Sequence, residues 1–175
     1  MNDEIKQNTI PLKNYLMVIL MFIAIILITI YIFKWYQIKQ DEKKSQSYLI
    51  ENNLVTNQTN SIEELDNVLA DNSSRFILYI TYTHSSRIYN LEKSYKNVFK
   101  EYNLNDMFYL FDITNIKKSD KNYMKSINKH LDIDVNKYPV IIYYEDGQIN
   151  SYKSIKNKKD FENFIKKINI EKNSQ

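Results

Sequence analysis

The 175-residue chain is 43% hydrophobic and 14% aromatic, too apolar for a disordered protein and long enough for one small domain beside a membrane helix. Its net charge of +3 rests on lysine, with Arg75 and Arg87 the only arginines and acidic residues interspersed throughout. That dispersion argues against a nucleic-acid partner, and the absence of cysteine excludes disulfides, thiolate catalysis and Cys-ligated zinc.

Residues 1–14 form a short flank. Tyr15 to Phe33 then runs for 19 residues without a charge, and a helix of that length spans about 28 Å, close to the ~30 Å of a bilayer core. Thr29 can return its hydroxyl to a backbone carbonyl, and Tyr15, Tyr31, Trp35 and Tyr36 mark the interfaces. A cleaved signal would be shorter and would end in small residues, yet the only alanine of this run is Ala24 at its middle. The expectation is a single-pass, uncleaved signal anchor in contact with lipid over 15–33. Basic residues flank both ends, so charge alone does not orient it.

Residues 34–53 read as a polar juxtamembrane spacer, with Leu54–Thr56 as a possible first strand. Ser61 with Glu64 three residues on is a capping box, and Ile62, Leu65, Val68 and Leu69 share one face of the helix it opens. Asp71 to Ser74 stops that helix. Phe76 to Tyr82 is a β-branched and aromatic run, hence a buried strand. After Thr83-His84-Ser85-Ser86 a second helix places Leu91, Tyr95, Val98, Phe99 and Tyr102 inward, with Lys93, Lys96, Asn97 and Lys100 outward. Met107 to Ile113 is the next strand, and Ser119 could cap a helix carrying Tyr123, Met124, Ile127 and Leu131.

Tyr138-Pro139 enters the strand Val140 to Tyr144. Asp146-Gly147 then centres a hairpin turn, Ile149 to Tyr152 returns antiparallel, and a last helix capped by Asn157 buries Phe161, Phe164, Ile165 and Ile168. Strands that alternate with helices require parallel crossovers, and the final hairpin is antiparallel. An α/β architecture with a mixed sheet covered on both faces follows, in one domain over 54–170 with a tail at 171–175.

That order resembles the thioredoxin-like superfamily, and so do particular residues. FILYITY leads into Thr83-His84-Ser85-Ser86-Arg87-Ile88, where the family places a redox motif at a helix N-terminus. Ser85 and Ile88 then stand at the two cysteine positions. MFYLFDITN is similar to the family's third strand, and Lys137-Tyr138-Pro139-Val140 to its proline-led strand before a polar-Gly hairpin. The resemblance implies a cis bond at Tyr138-Pro139 and free Tyr138 backbone groups for strand addition by a partner. It also implies that dithiol chemistry is lost, and that the relatives are membrane-anchored bacterial secretion or bacteriocin-accessory proteins. The bias to Lys, Asn and Ile points the same way, to a low-GC bacterial genome.

The candidate partner-binding residues are therefore Thr83, His84, Ser85, Ser86, Tyr138 and Pro139, with no catalytic residue, metal or cofactor expected. A Ser nucleophile with a His84 base is the sharper alternative, but adjacent residues rarely align for proton transfer and no third orienting group is identifiable. His130 reads as a partly buried structural histidine, and Asp112, Asp132 and Asp134 as turn residues. Tyr143, Tyr144 and Tyr152 could offer a contact surface. The function expected is a redox-inactive module holding a protein or peptide at the membrane, its domain outside the cytoplasm. The alternatives are an enzyme or redox subunit relying on a partner's thiol, and an architectural subunit of a membrane complex.

Overall fold

The computed structural model describes residues 12–42, 44–71, 75–168 and 170, in two units, 1–40 and 41–175. The expected stop at Asn72–Ser74, the tail at 171–175 and most of the N-terminal flank lie outside the described residues.

Helix α1 (Leu12–Glu42) makes up the described part of the first unit, includes the apolar run and outlasts it, with its last two residues, Asp41 and Glu42, belonging to the second unit. No described side chain from Lys13 to Lys39 is buried, and the helix is long and apolar enough to cross a membrane. Thr29 donates its hydroxyl to the Ile25 carbonyl at 2.8 Å, which settles that polar group inside the helix.

The second unit is built on a five-stranded mixed sheet of order β1-β3-β2-β4-β5, from β1 (Asn57–Thr59), β2 (Phe76–Thr81), β3 (Phe108–Asp112), β4 (Val140–Glu145) and β5 (Gln148–Ser154). The first two pairings are parallel and the last two antiparallel. This is the thioredoxin-like arrangement that the element order implied. All six residues of β2 are buried, because helices cover the sheet on both sides. Alternate strand residues serve the two faces. Ile77, Tyr79, Phe108, Leu110 and Ile141 pack with α2 (Tyr48–Glu51), α5 (Lys96–Tyr102) and α8 (Lys158–Lys167). Leu78, Ile80, Phe111, Val140 and Ile142 pack with α3 (Ile62–Asp71) and α7 (Tyr123–Leu131). Tyr95 stacks on Phe161 at 4.1 Å between centroids, joining α8 to the helices before it.

Local signals account for several boundaries. Ser61 Oγ accepts from Glu64 N–H at 3.1 Å, while the Glu64 carboxylate accepts from Asn60 N–H at 3.1 Å, one residue before the position of a regular capping box. Asn157 caps α8 by accepting from Asp160 N–H at 2.9 Å. Asp146 and Gly147 both take positive φ, 53° and 74°, the geometry of a type I′ hairpin turn.

Four expectations need correction. The first strand lies at 57–59, not 54–56, and Tyr48 and Leu49, expected in the spacer, are core residues. The helix after the loop divides at Ser94 into α4 (Ser86–Lys93) and α5. Ser119 does not open a helix. It closes α6 (Thr114–Ser119), and α7 starts after Asn122. The cause is local: Asp112 accepts from Thr114 N–H at 2.9 Å and so starts α6 early, while Asp120 accepts from Asn122 N–H at 2.7 Å and Ser126 Oγ at 2.8 Å to begin α7.

Candidate functional site

The Thr83–Ser86 loop joins β2 to α4, and the Thr83, His84 and Ser86 backbone donors are taken by the chain itself. Thr83 N–H donates to Thr114 Oγ1 at 2.7 Å, and the two hydroxyls lie 3.0 Å apart. The Thr114 hydroxyl in turn donates to the Asp112 carboxylate. His84 has φ of 56°, in the left-handed region, and its N–H donates to the Lys44 carbonyl at 2.7 Å. Ser85 is the N-cap of α4, its Oγ accepting from Ile88 N–H at 3.4 Å. Ser86 N–H donates to Asp41 Oδ1 at 2.7 Å, and hydrogen bonding from the Ser86 side chain and N–H holds the Asp41 carboxyl below its usual range. A carboxylate thus sits at the positive end of the helix. Among the described residues no hydrogen bond joins the His84 ring to Ser85 or Ser86, so no proton path for a serine nucleophile is assembled.

Tyr138-Pro139 is a cis peptide bond. Its neighbours are engaged: Lys137 O accepts from Ser154 Oγ at 2.8 Å, and Pro139 O from Ile155 N–H at 2.9 Å. Between them, Tyr138 N–H and C=O form no backbone hydrogen bond among the described residues. The Tyr138 ring is fixed instead. Its hydroxyl donates to Asn128 Oδ1 at 3.1 Å, Asn128 Nδ2 donates to Val135 O at 2.7 Å, and the Tyr123 ring lies 6.1 Å away. Burial raises the Tyr138 phenol's pKa, so the ring remains a neutral donor.

Ile80 pairs with Val140. The pairing ends there, and Tyr82 and Tyr138, two residues beyond it on each chain segment, leave the sheet at the same end. Both line a cavity of about 200 Å³, together with Arg87, Tyr123, Met124 and Lys137. Lys117 Nζ lies 3.5 Å from the centre of the Tyr82 ring, a cation–π contact behind that wall. Small-molecule sites usually enclose ~300–1,000 Å³, so this cavity suits one or two side chains. Of the six residues expected at the site, Tyr138 lines the cavity. The loop's contribution comes from its flanks, Tyr82 and Arg87, which the sequence reading missed. The antiparallel register through Ile80 and Val140 is the signal that could have found Tyr82.

Glu92 was also missed. It is 1% exposed on α4, a charged residue on the buried side of the helix. Its carboxylate accepts from Ser47 Oγ at 2.6 Å, Tyr48 N–H at 2.9 Å and Thr81 Oγ1 at 2.9 Å. Burial outweighs those three donors and pushes its pKa up to about 7. Near it the Tyr79 and Tyr95 hydroxyls are buried without a hydrogen-bond partner among the described residues.

Other candidates resolve into structural roles. The His130 side chain is 33% exposed at the edge of α7, its Nε2 2.7 Å from Asp66 Oδ1 on α3, a structural contact. Asp132 takes φ of 50° as the C-cap of α7, and Asp134 N–H donates to Tyr152 Oη at 3.3 Å. Tyr143 and Tyr144 are buried, since helices cover β4 on both faces, and only Tyr152 of the proposed tyrosine surface is exposed. Among the described residues no three His, Asp or Glu side chains gather as a metal site.

No protein-family model and no curated protein sequence matches the chain. Solved structures similar to it include oxidised thioredoxin from Plasmodium falciparum, with 12% identity and a TM-score of 0.45 over 65% of this chain and 97% of that one. Mitochondrial thioredoxin 3 from Saccharomyces cerevisiae is 16% identical, with a TM-score of 0.45 over 63% and 93%. Thioredoxin O2 from Arabidopsis thaliana is 11% identical, with a TM-score of 0.46 over 67% and 96%. At these values the fold assignment rests on the strand order and directions, not on the overlays.

Proposed function

We propose that this chain is a membrane-tethered, thiol-free thioredoxin-like module that holds an extended segment of a partner protein without chemistry. The observation that carries the reading is the groove at Tyr138: an open wall of Tyr82, Tyr123 and Met124 beside a residue whose main-chain N–H and C=O are unpaired. Strand addition needs that combination, main-chain groups for holding and a pocket for selecting. The absence of cysteine from all 175 residues supports a role other than dithiol exchange. The apolar run of α1, exposed along its length, supports a bilayer tether. Its uncleaved signal-anchor pattern and the resemblance to anchored accessory proteins support a domain outside the cytoplasm.

The lack of native cysteine makes the test clean. A single cysteine placed at Asn136, on the groove rim, carries a photo-crosslinker in intact membranes, with a second variant labelled at Lys100 on α5. Capture of one defined protein at Asn136 that disappears with Tyr138→Ala supports the reading. Capture at Lys100 alone, or unaffected by Tyr138→Ala, contradicts it. Alkaline extraction should leave the chain in the membrane pellet, and protease added to intact cells should remove the C-terminal unit. Release by alkali, or protection until lysis, would reverse the tether or its orientation.

A further inference from the structure

We propose that the Tyr138 groove selects an acidic segment, so that the partner presents Asp or Glu side chains flanking the apolar one that enters the cavity. This rests on the reading of the groove as a peptide site and adds its specificity. Three cations line the cavity, Arg87 at the start of α4, Lys137 before Tyr138 and Lys156 after β5, and no Asp or Glu lines it with them. All three are exposed, and among the described residues none forms an ion pair.

Elsewhere in the same unit three surface cations do meet acids. Arg75 meets Glu145 at 2.7 Å, Lys153 meets Asp160 at 3.0 Å and Lys158 meets Glu162 at 3.0 Å. Two acids approach the groove without entering it. Asp160 bonds the Lys156 backbone N–H at 3.2 Å and feels the Lys156 charge, but it gives its other oxygen to Lys153, and Asp134 lines the adjoining cavity beyond Asn136. In a chain of net charge only +3, this is local concentration of charge and not a bulk excess. Unpaired cations around an aromatic pocket complement carboxylates on either side of an apolar residue, which sets register and rejects basic segments. Arg87 can also hold a carboxylate through two parallel hydrogen bonds.

The probe is a set of synthetic peptides about ten residues long, the length of a long strand. They share their apolar positions and carry Glu, Gln or Lys at the polar ones. Binding to the full chain in lipid nanodiscs is read by fluorescence anisotropy at low and near-physiological salt. The Glu series should bind roughly tenfold tighter than the Gln series, the size of two partly screened surface pairs, and lose most of that margin with salt. The triple variant Arg87→Gln, Lys137→Gln, Lys156→Gln should bring the Glu series to the Gln level and leave the Gln series unchanged.

Equal affinity for Glu and Gln, preference for Lys, or a Glu advantage that survives in the triple variant would overturn the charge inference. Tyr138→Ala separates it from the reading beneath. If the Gln series binds and Tyr138→Ala abolishes that binding, the groove stands as a peptide site whatever the charge result. If no series binds, both fall.

Discussion

The Thr83–Ser86 loop and the Tyr138 groove lie at the same end of the sheet, yet the chain treats them differently. In the loop the Thr83, His84 and Ser86 amides each have an acceptor elsewhere in the chain, from Thr114, Lys44 and Asp41, all within 2.7 Å. In the groove, among the described residues, the Tyr138 main chain forms no hydrogen bond and the three cations form no ion pair. Unpaired donors cost about 1–3 kcal/mol each when buried, and in the loop side chains and carbonyls of the same chain meet that need. The Tyr138 main chain lies beside an open cavity instead.

The largest expected effect tests the scaffold beneath both. Ile80 is fully buried and pairs with Phe111 on one side and Val140 on the other. Ile80→Ala should cost roughly 2–5 kcal/mol in urea titration and disturb loop and groove together. A loss below about half a kcal/mol would mean that β2 does not organise this end.

Glu92 ties the loop's helix to Ser47 and Tyr48, and its titration comes next. Its pKa rises from 4.5 to about 7 on folding, so the folded state holds the proton more tightly. The resulting stability is full below about pH 4.5, declines as pH rises through 7, and amounts to roughly 3 kcal/mol across that window. The Asp112 carboxylate adds to the rise, and the Tyr79 and Tyr95 phenols facing it stay neutral because burial raises both. Melting followed by circular dichroism should show higher stability at pH 5 than at pH 8, and Glu92→Gln should flatten the difference. An unchanged slope in Glu92→Gln would assign the effect to another group.

A smaller effect separates the two regions. Thr114→Val keeps the shape but removes the acceptor for Thr83 N–H and should cost about 1–3 kcal/mol. Capture from Asn136 should persist in this variant. If capture fails while the fold survives, loop and groove act as one site.

The strands, the hairpin and α8 were legible because their signals are local: the buried run Phe76–Thr81, Asp146-Gly147 and the Asn157 cap. The element order carried the sheet topology with them. What escaped depends on distant partners. β1 is Asn57-Gln58-Thr59, polar residues that become a strand because β3 is there to pair with them. Tyr48 and Leu49 enter the core from a segment whose surroundings are polar, held by a carboxylate 44 residues away. Glu92 lies at helical spacing between Ile88 and Tyr95, on the buried stripe, and that spacing could have exposed it. Its donors Ser47 and Thr81 could not be read from spacing. For the candidate site, the proline-led strand made the position of Tyr138 before the hairpin legible. The sequence does not show that the Thr83, His84 and Ser86 amides have acceptors within the chain.

Amide hydrogen exchange at single-residue resolution on the full chain in nanodiscs tests the contrast most directly. The account predicts protected amides at Thr83, His84 and Ser86 and rapid exchange at Tyr138 in the free protein, with Tyr138 slowing when a groove-bound peptide is added. Rapid exchange through the loop together with a protected Tyr138 amide would contradict it.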